Sequence, residues 1–306
     1  MLNPAIRADT VCGLDIGSNT FSFTEIAQHP SGELEHVADT SIGVRLSEGL
    51  TPGGPLSREA VERGLSTLEE LVTAFHLRDK RIRAVATAVL RKTGKPETFL
   101  VPAEEMLGHP IEIIDGEEEA RLTLEGATFG LPSAGPWIVL DIGGQSTEFS
   151  WMTQAGWRSV SLEMGVVGLT ESYLSHDPPT AEEIANLREV VRDAISTHLP
   201  AELTGRLLAV AGTASSLGML HQSLRQWKRE LLHGATMDRQ ALAKWMTIMS
   251  AVTSHERQHR FGVRPVRADV FPAGICVIEE AVRHFDLDHF TISATGLRLG
   301  AALSIL

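Results

Sequence analysis

Two loops of nearly the same sequence, Asp15-Ile16-Gly17-Ser18-Asn19-Thr20-Phe21 and Asp141-Ile142-Gly143-Gly144-Gln145-Ser146-Thr147, each close an apolar run that reads as a strand, Thr10 to Leu14 and Trp137 to Leu140. Each sets a carboxylate at a strand end, then glycines that let backbone N–H groups face outward, then hydroxyl and amide side chains suited to phosphate oxygens. One such loop constrains little. Two, with their aspartates 126 positions apart (141 − 15), predict a duplicated α/β domain with a cleft between the copies, each copy offering one phosphate-facing hairpin.

The remaining patterns repeat in the same order. The first half reads as strands Thr10 to Ile16, Phe21 to Gln28 and Glu33 to Thr40, then a helix from about Ser57 to Leu77, where Val61, Leu65, Leu68, Leu71, Val72 and Phe75 recur at helical spacing and Ser57 caps the start. A strand Ile82 to Ala86, a helix near Glu97 to Leu107, a strand Ile111 to Ile114 and a helix opening at Gly116 follow. Leu131 to Pro136 combines turn formers without periodicity and reads as the hinge between domains 1–132 and 133–306. The second half restarts with strands near Trp137 to Asp141, Thr147 to Met152 and Trp157 to Glu163, then helices, a strand Leu207 to Ala211, and more helices. Three strands after a glycine loop, then alternating helices and strands, fit two α/β domains with mixed sheets flanked by helices.

At 306 residues the chain is long enough for two domains that each bury a core. No apolar run approaches the ~18–20 residues of a membrane span, and the first ten residues lack the apolar core of a secretion signal, so the cytoplasm is the expected location. Cys12 and Cys276 sit in apolar runs and read as buried small hydrophobes. A net charge of −12 argues against nucleic-acid or anionic-membrane binding, which needs an extended basic face. A polyanionic ligand therefore needs local help, visible at Arg78, Lys80, Arg81, Arg83, Arg91, Lys92 and Lys95, although Arg78 to Arg83 alone reads equally as a solvated face.

Other residues suit chemistry. Gly212-Thr213, after the apolar run Leu207 to Ala211, offers N–H donors at a helix start, a third anion contact. Asp115, Glu117, Glu118 and Glu119 crowd another helix start; Glu117 and Glu118 match the helix dipole, and three in a row exceed what the dipole requires, so one facing the cleft can serve as a base toward water. Asp141 and Glu148, either side of the second glycine loop, form a candidate Mg²⁺ pair. His255-Glu256-Arg257-Gln258-His259 spells the zinc-protease pattern, with Glu279 as a third ligand. Arg257, Arg260, Arg264 and Arg267 surround it with charge that suits phosphate and disfavours a dication, so it reads as coincidence.

In order along the chain, Asp15 to Asn19, Ala86-Thr-Ala-Val-Leu-Arg91, Ile114-Asp-Gly-Glu-Glu-Glu-Ala-Arg-Leu122, Asp141 to Glu148, Ser161-Leu-Glu-Met-Gly165, Ala211-Gly-Thr-Ala214, His233-Gly234, Arg267-Ala-Asp269 and Gly296-Leu-Arg298 resemble the motifs of the exopolyphosphatase and guanosine pentaphosphate phosphohydrolase family. The resemblance implies two ribonuclease H-like domains of the actin-like ATPase superfamily, in the short form without C-terminal helical domains, with the last helix from about residue 296 packing back on the first domain. It implies that Glu119 is the general base and that Asp141 and Glu148 hold Mg²⁺. Gly143, Gly144 and Ser146 would bind phosphate with Gly17, Ser18 and Asn19 facing them. Thr20, Gln145, Gly212 and Thr213 complete the expected phosphate-binding set, and Arg91 would contact the phosphate chain. The implied substrates are inorganic polyphosphate and guanosine penta- or tetraphosphate, and the implied assembly a homodimer. Ser22, Gly168, Leu299 and Gln145 depart from the usual motifs, three of them by losing charged residues. A non-catalytic sensor of phosphorylated nucleotides or polyphosphate is the alternative those losses motivate, and a kinase of the same superfamily is disfavoured by Glu118-Glu119-Ala120-Arg121-Leu122.

Overall fold

The computed structural model describes residues 9–51, 53–132, 136–154, 156–200 and 202–306. They divide into two compact units, one running to Gly126 and joined by Leu297–Leu306, the other spanning Ala127–Gly296. Of the expected hinge, Ser133, Ala134 and Gly135 lie outside the described residues.

The first unit is built on a five-stranded sheet of β1 (Asp9–Ile16), β2 (Thr20–Gln28), β3 (Leu34–Gly43), β4 (Arg81–Ala86) and β5 (Ile111–Ile113), in the order β3-β2-β1-β4-β5. β2 runs antiparallel to β1 and β3, β4 runs parallel to β1, and β5 runs parallel to β4. One face carries Cys12, Leu14, Ile16, Phe21 and Phe23, which pack with Leu68, Leu71 and Phe99 from the helices Arg58–Phe75 and Glu97–Leu107. Ser57 caps the first of these, its Oγ accepting the Ala60 N–H at 3.2 Å, worth about 1 kcal/mol. That helix ends at His76, in the left-handed conformation, and Leu77 belongs to a 3₁₀ turn instead of the helix.

The opposite face is thinner. Val85 packs with Ile114, Leu122, Leu297 and Ala301, under the helices Gly116–Thr128 and Leu297–Leu303. The helix Leu297–Leu303 lies on β1, where a Cβ at Gly13 would overlap the Arg298 carbonyl, and against the helix Gly116–Thr128, where a Cβ at Gly300 would overlap the Leu122 carbonyl. Both glycines are present because backbone meets backbone there.

The second unit repeats the plan. Its six-stranded sheet contains β6 (Trp137–Ile142), β7 (Thr147–Thr153), β8 (Gly156–Leu162), β9 (Arg206–Val210), β10 (Thr236–Asp238) and β11 (His289–Ile292), in the order β10-β11-β9-β6-β7-β8. Reading β8-β7-β6-β9-β11 reproduces the first sheet, antiparallel pairs followed by parallel ones. β10 and β11 were not among the expected elements: three and four residues are too short to show alternation between helices. The helix Phe271–His284, buried along most of its length, packs against the helices Ala181–His198 and Arg239–Ser250. Its Glu279 and Glu280 accept hydrogen bonds from Arg188 (2.8 Å) and Arg192 (3.0 Å). Among the described residues, no helix is long and apolar enough to cross a membrane.

Candidate active site

In both units the glycine loop is the turn between the central strand and its antiparallel neighbour. The Gly17 N–H donates to the Thr20 carbonyl at 3.1 Å, and the Gly143 N–H donates to the Ser146 carbonyl at 2.9 Å. A Cβ would stand 2.9 Å from the same carbonyl at Gly17 and 3.0 Å at Gly143, so both turns close around a missing side chain.

The carbonyls of these loops are turned into the protein. The Ser18 carbonyl accepts the Ser47 N–H, and the Asn19 carbonyl accepts those of Val44 and Arg45. In the second unit the Gly143 and Gly144 carbonyls each accept at 3.0 Å, from Val166 and Val167 at the start of the helix Val166–Tyr173. Because a peptide is planar and trans, an inward carbonyl aims the next N–H the opposite way, here those of Asn19, Gly144 and Gln145. Such a row of donors recognises anions. Asp15 Oδ1 and Asn19 Oδ1 are shielded and accept no hydrogen bond, leaving two polar atoms of the first loop for a ligand or its water.

The register of the sheets sorts the acidic residues. Asp141 on β6 lies opposite Glu148 on β7, and Glu148 opposite Ser161 on β8, so the three side chains share one face. Glu148 is buried, and its Oε1 accepts from Ser161 Oγ at 2.7 Å. Two same-face carboxylates, one oriented by a hydroxyl, suit a hard dication that keeps some of its water. The equivalent row in the first unit is Asp15, Ser22 and Ser41. Ser22 and Ser41 bond to each other at 3.2 Å, and this row has one carboxylate where the other has two.

Glu119 lies in the first turn of the helix Gly116–Thr128, which Asp115 caps through the Glu118 N–H at 2.9 Å. Arg91, on the short helix Ala88–Lys92, donates from Nη1 to Glu119 Oε2 at 2.8 Å and to the Ile114 carbonyl at 2.7 Å. The Glu119 charge also acts on Asp15. Burial first, then the Glu119 charge, push the Asp15 carboxyl up to about 7, against a downward pull from Arg298. Glu118 behaves differently. Hydrogen bonds from Arg121 and Arg83 draw it down to about 2, so this first-turn carboxylate also belongs to an ion-pair network on the helix flank.

Three cations of the basic run are engaged within the protein. Arg78 donates to the Met106 and Glu105 carbonyls, Lys80 pairs with Glu25 at 2.5 Å, and Arg83 holds Glu112, Glu118 and Ser304.

At the third turn, Ala211 takes φ of 65° between β9 and the helix Ala211–His221, a left-handed conformation that costs a non-glycine residue about 1 kcal/mol or more. Gly212 follows, and a Cβ there would overlap the Arg267 guanidinium, which places a cation against the helix start. Thr213 turns its side chain to Gly274, on the helix Phe271–His284, so only its backbone is left to meet a phosphate. Arg257, 1% exposed, props this corner by donating to the Met249 and Ala268 carbonyls at 2.7 and 2.9 Å. The His-Glu-Arg-Gln-His stretch is a helix start: Glu256 closes a capping box with Thr253, and Glu279 is held by Arg188. Among the described residues no three His, Cys, Asp or Glu side chains gather as a metal cluster.

A family model described as the Ppx/GppA phosphatase family matches residues 25–306. The chain belongs to this family. It is 32% identical to exopolyphosphatase 2 of Mycobacterium tuberculosis strain H37Rv, over 96% of this chain and 98% of that protein. It is 30% identical to a guanosine-5'-triphosphate,3'-diphosphate pyrophosphatase of Vibrio vulnificus, covering all of this chain and 61% of that protein. Among solved structures, a Ppx/GppA family member from Aquifex aeolicus aligns with a TM-score of 0.81 and 28% identity, covering 96% of either chain. The two sheets are thus the mixed α/β sheets of the actin-like, two-domain Ppx/GppA fold. Arg267, Arg298 and Asp39 were not among the residues expected at the site. Arg267 reads from the sequence only as one of four arginines whose charge suits phosphate, Arg298 lies in a recognised motif without a role, and Asp39 is an ordinary strand residue whose partner is remote in sequence.

Proposed function

We propose that this chain is a Mg²⁺-dependent phosphohydrolase of phosphoric anhydrides that releases terminal orthophosphate from inorganic polyphosphate, guanosine pentaphosphate or both. The names of the Mycobacterium and Vibrio relatives point to these substrates. The observation that carries the reading is a carboxylate, Glu119, fixed by Arg91 in the unit whose phosphate-type glycine loop opens at Asp15.

Glu119 accepts a proton from water as the water oxygen bonds to the terminal phosphorus and the bridging P–O bond breaks, with the shortened chain departing as its phosphate anion. The outward N–H group of Asn19 in the first unit suits phosphate oxygens, as do those of Gly144 and Gln145 and the Arg267 cation in the second. Asp141 and Glu148 would hold the Mg²⁺, which supplies charge neutralisation at phosphate oxygens when bound. A cytoplasmic homodimer completes the proposal, and light scattering in solution tests its assembly.

The test is phosphate release from long-chain polyphosphate and from guanosine pentaphosphate, with Mg²⁺ and with chelator, for wild type and Glu119→Gln. Turnover should fall by about 10²–10⁴-fold in the variant, with binding of guanosine pentaphosphate retained by calorimetry. Loss of binding together with turnover contradicts the assignment of the base. Binding without release by the wild type would identify a sensor.

A further inference from the structure

Arg298 occupies a specific track across the first sheet. Gly13 on β1, Thr24 on β2 and Asp39 on β3 are successive cross-strand neighbours and share one face. The Arg298 backbone sits against Gly13, and its side chain reaches Asp39, with Nε 3.0 Å and Nη2 2.7 Å from Oδ1. Both partners are largely buried, at 15% and 12% exposure, so the pair is fixed more firmly than a surface ion pair. Asp15 lies two residues along β1 from Gly13 and therefore on the same face, one step nearer the loop.

The charges around Asp15 can be assigned by element. The helix Gly116–Thr128 presents Glu119, whose own partner is Arg91 from the helix Ala88–Lys92. The C-terminal helix presents Arg298, which is clamped on Asp39 of β3. Neighbouring β2 and β4 place neutral Ser22 and Val85 opposite Asp15. Arg83, two positions before Val85, is engaged by Glu112 and Glu118.

We propose that Arg298 is a positioning residue of the reaction: clamped on Asp39, it holds the positive charge that lets the carboxylates of Asp15 and Glu119 stand side by side at the first glycine loop. This role rests on the phosphohydrolase reading above. Without Arg298, Asp15 faces Glu119 with no compensating cation of its own and keeps its proton to higher pH, so it no longer offers an anion beside the base.

The test pairs two readouts on the full chain. Carboxyl-¹³C aspartate is incorporated, the Asp15 signal is assigned by its loss in Asp15→Asn, and its titration is followed in wild type, Arg298→Gln and Arg298→Lys. Phosphate release from polyphosphate is measured over the same pH range. In Arg298→Gln the Asp15 midpoint should rise by about one pH unit or more. The acid limb of the rate profile should move the same way, with turnover recovering at alkaline pH, and Arg298→Lys should return both toward wild type. An unmoved midpoint in Arg298→Gln, or a rate lowered by one factor at every pH, overturns the role. Should the glutamine variant not fold, Arg298→Met, whose side chain fills the same track, is titrated in its place. Absence of phosphate release by the wild type at every pH is instead a failure of the hydrolase reading. An active wild type with an unmoved Asp15 in the variant is a failure of this inference alone.

Discussion

One guanidinium nitrogen, Nη1 of Arg91, holds both the Glu119 carboxylate at 2.8 Å and the Ile114 carbonyl at 2.7 Å. Ile114 follows β5 and precedes the helix that carries Glu119, so Arg91 ties that carboxylate to the turn from which its own helix departs. Arg91→Met removes that tie. Turnover should fall about 10²-fold, the size expected when a reacting group is displaced by about 1 Å. Steady-state kinetics beside a melting curve would separate this loss from unfolding.

The Asp141 and Glu148 pair predicts a graded metal response. Glu148→Gln should raise the Mg²⁺ concentration for half-maximal phosphate release strongly. Ser161→Ala, which removes only the 2.7 Å hydrogen bond to Glu148, should raise it by about tenfold. Magnesium titrations of the three proteins at saturating polyphosphate would check the order. Equal requirements in all three would place the metal elsewhere.

Asp15 makes stability depend on pH in a direction unusual for an acidic residue. Its folded carboxyl is held up to about 7, against an ordinary value of 3.8. Between those values the folded chain keeps a proton that the unfolded chain releases, so this residue weakens the fold as pH rises through that window. Asp15→Asn should therefore melt at a higher temperature than wild type at pH 8, with the difference closing toward pH 4. Thermal scans across this range would read it, and a gap that widens toward acid would contradict the assignment.

Gly300→Ala should lower stability by about 1–3 kcal/mol, because the new methyl group meets the Leu122 backbone carbonyl, which has no rotamer with which to yield. Gly13→Ala should behave alike against the Arg298 carbonyl. Chemical denaturation of both, with Gly32→Ala as a glycine whose Cβ position meets no other atom, distinguishes crowding from backbone conformation.

The long elements and the duplicated hairpins were legible because each is a local pattern. The apolar spacing from Val61 to Phe75 and the Ser57 cap specify a helix without reference to the rest of the chain. The paired loops specify two equivalent turns, down to the same N–H to carbonyl bond. Less legible were β10 and β11, which acquire their identity only through pairing in the sheet beside β9, and the helix Ala88–Lys92, which is too brief to show a period. Within the candidate site, residue types were readable but pairings were not. Arg91 was readable as a phosphate contact but its pairing with Glu119 was not, Arg83 is held by three side chains, and the bond between Arg298 and Asp39 joins residues 259 apart.

The C-terminal helix rests on Gly13 and Leu122, and the chain reaches it only after the whole second unit has been laid down. During synthesis the first unit thus emerges early and stays unfinished, with the narrow strip beside β1 bare and Asp39 lacking its arginine. The second unit, continuous in sequence, can fold as it leaves the ribosome. The strand that bears Asp15 and the helix that bears Glu119 gain their common support only when the last helix settles between them. A truncated nascent chain would then carry every residue of the first glycine loop and still lack the scaffold that aligns it.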